Sequence, residues 1–210
     1  MARPMPPLQG RFSSEVDLSL QLADMGERIR DRCPEVARDF GRTKVEAFYE
    51  LAFLRIFMLW EDFLEQSFLR YLCGFASRTG PPALIGPKFR RIEDAEKSVL
   101  SNRPYVSWAS PSAVSKRSQA YMSKGLHEQI FNSNLARLEA FAFVRHRIAH
   151  SSKHSSNQFN AASMTLAGRR YPKGSPGKFL RDKAVSQPFP ERWLHHIAEE
   201  LKALAIQICP

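Results

Sequence analysis

Apolar positions recur at helical spacing through most of the chain, and no long run alternates in the manner of a strand. In the most apolar stretch, advanced by about 100° per residue, Leu54, Phe57, Met58, Leu64, Phe68, Leu69 and Leu72 share one face. The same spacing predicts a first helix from about Ser14 to Arg32, carrying Val16, Leu18, Leu20, Leu22 and Met25 and capped by Ser13-Ser14-Glu15. Pro34 breaks it, and a longer helical segment follows over 35–77, with a gap near Gly41-Arg42-Thr43. Shorter helices are expected over 93–100 and 112–124, the latter stopped by Gly125. A long one is expected over 131–150. Pro188 and Pro190 introduce a last helix to Ile208, with Trp193, Leu194, Ile197, Leu201, Leu204 and Ile208 as its stripe. Residues 1–13 read as a flexible, proline-punctuated lead. Residues 155–190, rich in Gly, Pro and basic side chains, read as a loop-rich insertion, with a short hairpin around Tyr171 to Phe179. The expected class is all-α: one helical bundle over 14–210, with an irregular basic loop before the C-terminal helix.

Two of these helices carry charge where apolar residues are expected. Glu61 and Glu65 lie four residues apart within the apolar face of the second segment, and Asp62 lies at its edge. Arg145 falls in the middle of the face formed by Leu138, Phe141, Ala142, Ile148 and Ala149, with Glu139, His146 and His150 beside it. A charge on a buried face loses its hydration unless it is paired. The economical expectation is that Glu61 or Glu65 meets Arg145 across the helix interface. Carboxylate and guanidinium match as planar forks, so such a pair would hold the arginine in one orientation.

Charge changes the picture further. The formal net charge is +10, and residues 141–190 hold nine Lys or Arg against one acid, Asp182, which is 9 − 1 = +8 of it. A one-sided basic region is the footprint of a polyanion surface, although solubility alone also accounts for it. Cys33, Cys73 and Cys209 are odd in number and widely separated, with neither metal-type spacing nor a disulfide framework. Cys73 reads as core filler. The opening MARPMPPLQG lacks the apolar stretch of a signal peptide, and the run from Leu51 to Trp60 is too short to span a bilayer. A soluble protein of a reducing compartment, the cytoplasm, is expected, with no membrane partner.

Arg145-His-Arg-Ile-Ala-His150 resembles the R-polar-x-x-x-H motif of the HEPN superfamily, small helical bundles of which many are metal-independent ribonucleases in bacterial defence and toxin–antitoxin systems. The Trp60-Glu-Asp-Phe-Leu-Glu65 stretch is similar to that family's earlier helix, where an acid often supports the arginine. The resemblance covers about residues 45–150 and leaves 155–190 unexplained. It implies an endoribonuclease with no cofactor and no metal, in which the 2′-hydroxyl attacks the adjacent phosphate. His150 would be the acid/base and Arg145 the phosphate stabiliser, with His146 assisting and Glu61 or Glu65 fixing the arginine. It also implies an RNA substrate, a homodimer with a composite site at the interface and, for a toxin, an antitoxin partner. Histidine suits proton transfer near neutral pH, and arginine suits a phosphorane-like charge. Arg147, Lys153, Arg169, Arg170, Lys173 and Lys178 are the candidate phosphate contacts, with Tyr171 or Phe179 stacking a base.

Three other readings fit the same residues. The chain is a HEPN-type module that binds RNA or a protein without cutting. Alternatively His146, His150 and His154, at i, i+4 and i+8, bind a metal such as zinc. In the third, Arg145 is a structural ion pair and His150 a helix C-terminal residue favoured by the dipole. His127, His195 and His196 read as surface residues.

Overall fold

The fold is all-α. The structure, a computed structural model, describes residues 3–33, 35, 40–171, 174–184 and 191–210. Among these are nine helices and four two-residue strands. The frame is a helical hairpin of α1 (Leu8–Arg32) and α2 (Arg42–Leu72). α2 runs through the centre of the bundle. Its residues Tyr49, Phe53, Ile56, Trp60, Leu64 and Phe68 are all buried, and Trp60 stacks on Phe63 and Phe131.

The first helix starts six residues earlier than its Ser-Ser-Glu signal suggests. Pro6-Pro7 precede it, and proline suits a helix start because its missing N–H has no intrahelical partner there. Ser14, the expected cap, sits inside the helix and donates to the Gly10 carbonyl. The lead is anchored as well: Arg3–Pro4 (β1) pairs in parallel with Phe75–Ala76 (β2) just after α2. α1 buries Phe12, Val16, Leu20 and Ala23, whereas Leu18, Leu22 and Met25 are exposed. Met58, read as a core position of α2, is 65% exposed. Together with Leu51, these side chains leave an uncovered apolar strip on the two helices.

Ala83–Leu84 (β3) pairs antiparallel with Met122–Ser123 (β4). Between them lie α3 (Ile92–Leu100) and α4 (Pro111–Tyr121). The expected 131–150 helix is two helices, α5 (Leu126–Ser133) and α6 (Leu135–Ala149), broken at Asn134. Asn134 turns its side-chain amide back to the Ile130 carbonyl, the local bonding by which asparagine competes with helix.

The expected 155–190 insertion is in large part helical. Lys153–Ala167 forms α7, capped by the Ser152 hydroxyl, which accepts from the Ser155 N–H, and closed by Gly168 at φ +65°. It packs along α6 and buries Phe159, Ala162, Ser163 and Leu166. Pro176–Arg181 forms α8, which lies on the N-terminal half of α2. Gly177 makes that approach, since a Cβ there would come within 2.5 Å of the Glu46 carbonyl oxygen. Its N–H donates to Glu50 Oε1. Of the expected hairpin, Tyr171 and Phe179 are instead core residues in edge-to-face contact. α9 (Trp193–Ile208) carries the stripe as read, with all six positions buried. No helix among the described residues is long and apolar enough to cross a membrane.

A buried carboxylate ties the bundle together. Glu27 of α1 accepts from Arg181 through both oxygens, at 2.7 and 3.1 Å, and from the Tyr49 hydroxyl at 3.2 Å. Arg192 and Arg30 stand 3.1 and 3.4 Å away. Burial alone would raise its pKa. The Arg181 hydrogen bond, with the charges of Arg192 and Arg181 and the Tyr49 hydroxyl, outweighs that and holds it below the usual range. So part of the positive charge of 169–192 is internal mortar rather than open surface.

Candidate functional site

The site lies where α6 ends and α7 begins. Three residues turn the chain between them. His150 is the C-cap of α6, its backbone extended and its N–H bonded to the His146 carbonyl. Its own carbonyl accepts from Ser155 Oγ at 2.7 Å and from Arg147 Nη1 at 3.3 Å. With Ser152 capping α7, this brings the first turn of α7 back against the last turn of α6.

Three histidines converge there. The His146 ring lies 4.5 Å from that of His150 and 6.4 Å from that of His154, centroid to centroid. Arg145 and His146 open, with His154, onto a cavity of about 400 Å³ whose wall also includes Glu139, Phe143 and Gln158. His150 does not line it: its ring is tilted against that of His146 at an interplanar angle of 50°. Burial, and then repulsion from His150, His154 and Arg145, push the His146 pKa below that of a free histidine. His146 is therefore neutral at neutral pH and available as a proton acceptor. Among the described residues, no group of three or more His, Cys, Asp or Glu side chains is arranged to hold a metal ion.

Arg145 meets Glu61, one of the two acids that the sequence offers it. The contact is one-sided, with Arg145 Nε 3.6 Å from Glu61 Oε1 and no hydrogen bond at that buried oxygen. The expected fork-to-fork pair does not form. Burial raises the Glu61 pKa, and Arg145 only partly opposes it. Arg145 lies at the margin of the buried face rather than its middle. The centre of that face is Leu138, Phe141 and Val144, while Ile148 is half-buried and Ala149 exposed because the helix is ending. Its side chain, 31% exposed, therefore keeps one edge toward solvent. Glu65 is elsewhere: it sits near Trp108 and Arg117, and burial raises its pKa as well. Arg117 covers the Trp108 ring at 4.3 Å.

The basic residues separate into two groups. Arg147 is tied into the fold, donating to the Gly174 and His150 carbonyls. Arg169 donates to the Tyr171 hydroxyl and pairs with Asp182 at 2.9 Å. Lys153 and Arg170 are exposed, and Lys178 is half-buried. Lys173 lies outside the described residues. Tyr171 and Phe179 are 4% and 0% exposed, so neither ring offers a face to a base.

The remaining histidines are not free surface groups. His127 is fully buried, 2.9 Å from Ser67 Oγ and edge-on to Phe68 and Tyr71. Burial pushes its pKa down to about 3. His195 stands 3.4 Å from Asp24, and His196 2.8 Å from Glu200, which also pairs with Arg137. Cys73 and Cys209 are buried free thiols, and burial raises the Cys209 pKa to about 11.

The sequence reading missed the placement of His154 beside His146 on the cavity wall. Its signals were Ser152 as an N-cap, the Phe159, Ala162, Leu166 stripe and the closing Gly168, which together mark a helix returning from the His150 turn. Comparison with known protein families, with characterised proteins and with solved structures gives no match for this chain.

Proposed function

We propose that the chain is a metal-independent endoribonuclease of the HEPN type, cutting RNA at the cavity lined by α6, α7 and residues 107–112. The supporting observation is the grouping of one partly exposed arginine, Arg145, with His146 on a cavity wall, and of His150 in ring contact with His146 at 4.5 Å. Arg145 would hold the scissile phosphate and carry the charge that builds on its oxygens. Glu61 limits its swing without neutralising it through hydrogen bonds. The His146–His150 pair would take the 2′-hydroxyl proton, with His150, exposed at the turn, as the acid/base group and His146 beside it. Lys153 and Arg170 supply exposed phosphate contacts. DNA, lacking the 2′-hydroxyl, should resist.

The resemblance in the Arg145–His150 motif extends the proposal to a homodimer with a composite site, and to a toxin or defence effector held by an antitoxin. Three unpaired thiols suit a reducing cytoplasm. A second reading, a HEPN-type module that binds RNA or a protein without cutting it, draws on the position of His150 outside the cavity. The test is incubation of labelled single-stranded RNA with the purified protein, with and without EDTA, beside Arg145→Ala and His150→Ala. Cleavage that survives EDTA and is lost in both variants supports the nuclease. Tight RNA binding without cleavage supports the binding module. Cleavage abolished by EDTA overturns the metal-free reading.

A further inference from the structure

The placement of His154 has no counterpart in the Arg145–His150 motif. It belongs to a different helix, lies four residues past the motif, and shares the cavity wall with Arg145 and His146. A metal-free phosphoryl transfer to a 2′-oxygen needs two proton movements, one off the nucleophile and one onto the leaving oxygen. A single motif supplies a cluster for the first. We propose that His154 is the second: the general acid that protonates the 5′-oxygen as it leaves. This rests on the ribonuclease reading above.

The geometry suits the role. The His146 and His154 rings are edge-on, 6.4 Å apart and inclined at 78°, farther apart than the 4.5 Å between His146 and His150. Rings at the 6.4 Å centroid separation can each hydrogen-bond a different oxygen of one phosphate placed between their edges. Arg145 on the same wall faces the non-bridging oxygens. The charged and titratable groups around this pair are Arg145 and Glu139 from α6, His150 at the turn, and Lys153 next to His154 in the chain. Burial, and then the positive neighbours, favour neutral His146 as the acceptor.

The step balances within these groups. The 2′-oxygen forms its bond to phosphorus as its proton passes to the His146–His150 pair. The bond from phosphorus to the 5′-oxygen breaks as the His154 imidazolium gives that oxygen its proton. The products are a 2′,3′-cyclic phosphate and a 5′-hydroxyl, and exchange with water resets both imidazoles. No oxidant, metal or third reactant enters.

The test compares two RNAs of one sequence. In the second, the bridging 5′-oxygen at the linkage cut by the wild-type protein is replaced by sulfur, which leaves as a thiolate without a proton. His154→Ala and His154→Gln should slow cleavage of the ordinary RNA by about 100-fold or more and cut the sulfur-bridged RNA at close to the wild-type rate. Arg145→Ala should slow both. Circular dichroism confirms the fold, and His154→Gln keeps a polar side chain at an exposed position. Wild-type rates for His154→Ala on ordinary RNA, or equal losses on both substrates, would overturn the assignment of His154 while leaving the nuclease intact. If the wild-type protein cuts neither RNA, the ribonuclease reading fails, and the role of His154 with it.

Discussion

Arg145 Nε lies 3.6 Å from Glu61 Oε1, and that oxygen, although buried, accepts no hydrogen bond. The pair is an electrostatic restraint rather than a clamp. Burial holds the Glu61 pKa above the ordinary carboxylate range, so ionising it works against the fold. Both side chains retain some solvent, which screens the attraction. Glu61→Gln should therefore change stability by less than about 1 kcal/mol, read as a small shift in urea midpoint. If Arg145 holds phosphate, the same variant should alter KM for RNA more than it alters folding.

The Glu27 knot is a different kind of contact. Three arginines and the Tyr49 hydroxyl surround one carboxylate that joins α1, α2, α8 and the start of α9. Glu27→Ala would leave Arg181, only 15% exposed, without its acid. Breaking a buried pair from one side typically costs about 3–5 kcal/mol, and the cost should be near that range here. Glu27 has a folded pKa below its unfolded value, so its stabilisation is present above the unfolded pKa of 4.5 and is lost as pH falls below it. Urea unfolding of the wild type and of Glu27→Gln between pH 3 and 7 checks this, since the variant should lose that part of the acid dependence.

His127 sets a second pH dependence, in a higher window. Its ring is neutral in the fold, with a pKa of about 3 against 6.5 when free. The unfolded chain takes up a proton below pH 6.5 and the folded chain does not, so stability falls as pH drops from 6.5 toward 3. The slope from this group approaches about 1.4 kcal/mol per pH unit. His127→Leu should flatten stability between pH 6.5 and 5 while lowering it at pH 7, because the Ser67 hydroxyl loses its 2.9 Å partner. An unchanged slope in the variant would contradict the buried neutral ring.

Much of this arrangement is legible in the chain, for identifiable reasons. Glu61 and Arg145 interrupt apolar faces on two helices, and opposite charges in such positions have few places to go but together. The α9 stripe is equally plain, because its apolar residues fall at regular helical spacing with charges between them. α7 is harder to read. Ser, Asn, Thr and His make up much of it, residues that favour turns and caps as readily as helix, and Gly-Arg-Arg and Pro-Lys-Gly follow soon after. Tertiary packing of Phe159, Ala162 and Leu166 decides its state. The fate of the arginines near 180 was hidden for another reason: Glu27 is 154 positions away from Arg181, and no local pattern links them.

The division of the basic residues predicts separate effects on RNA binding and on folding. Lys153→Ala and Arg170→Ala, at exposed positions, should each weaken RNA binding, lower the salt dependence of log K by about one unit and leave thermal stability nearly unchanged. Arg147→Ala removes donors to Gly174 and to the His150 turn, and should lower the melting temperature instead. Fluorescence anisotropy at several salt concentrations, paired with thermal melts, distinguishes the two groups.

The most direct test of the proposed chemistry is the identity of the cut end. RNA digested by the wild-type protein in EDTA, analysed by mass spectrometry, should carry a 2′,3′-cyclic phosphate on the upstream fragment and a 5′-hydroxyl on the downstream one. A 3′-hydroxyl with a 5′-phosphate would mean that water, not the 2′-oxygen, attacked phosphorus, and would contradict the roles given to Arg145 and the histidines at the α6–α7 turn.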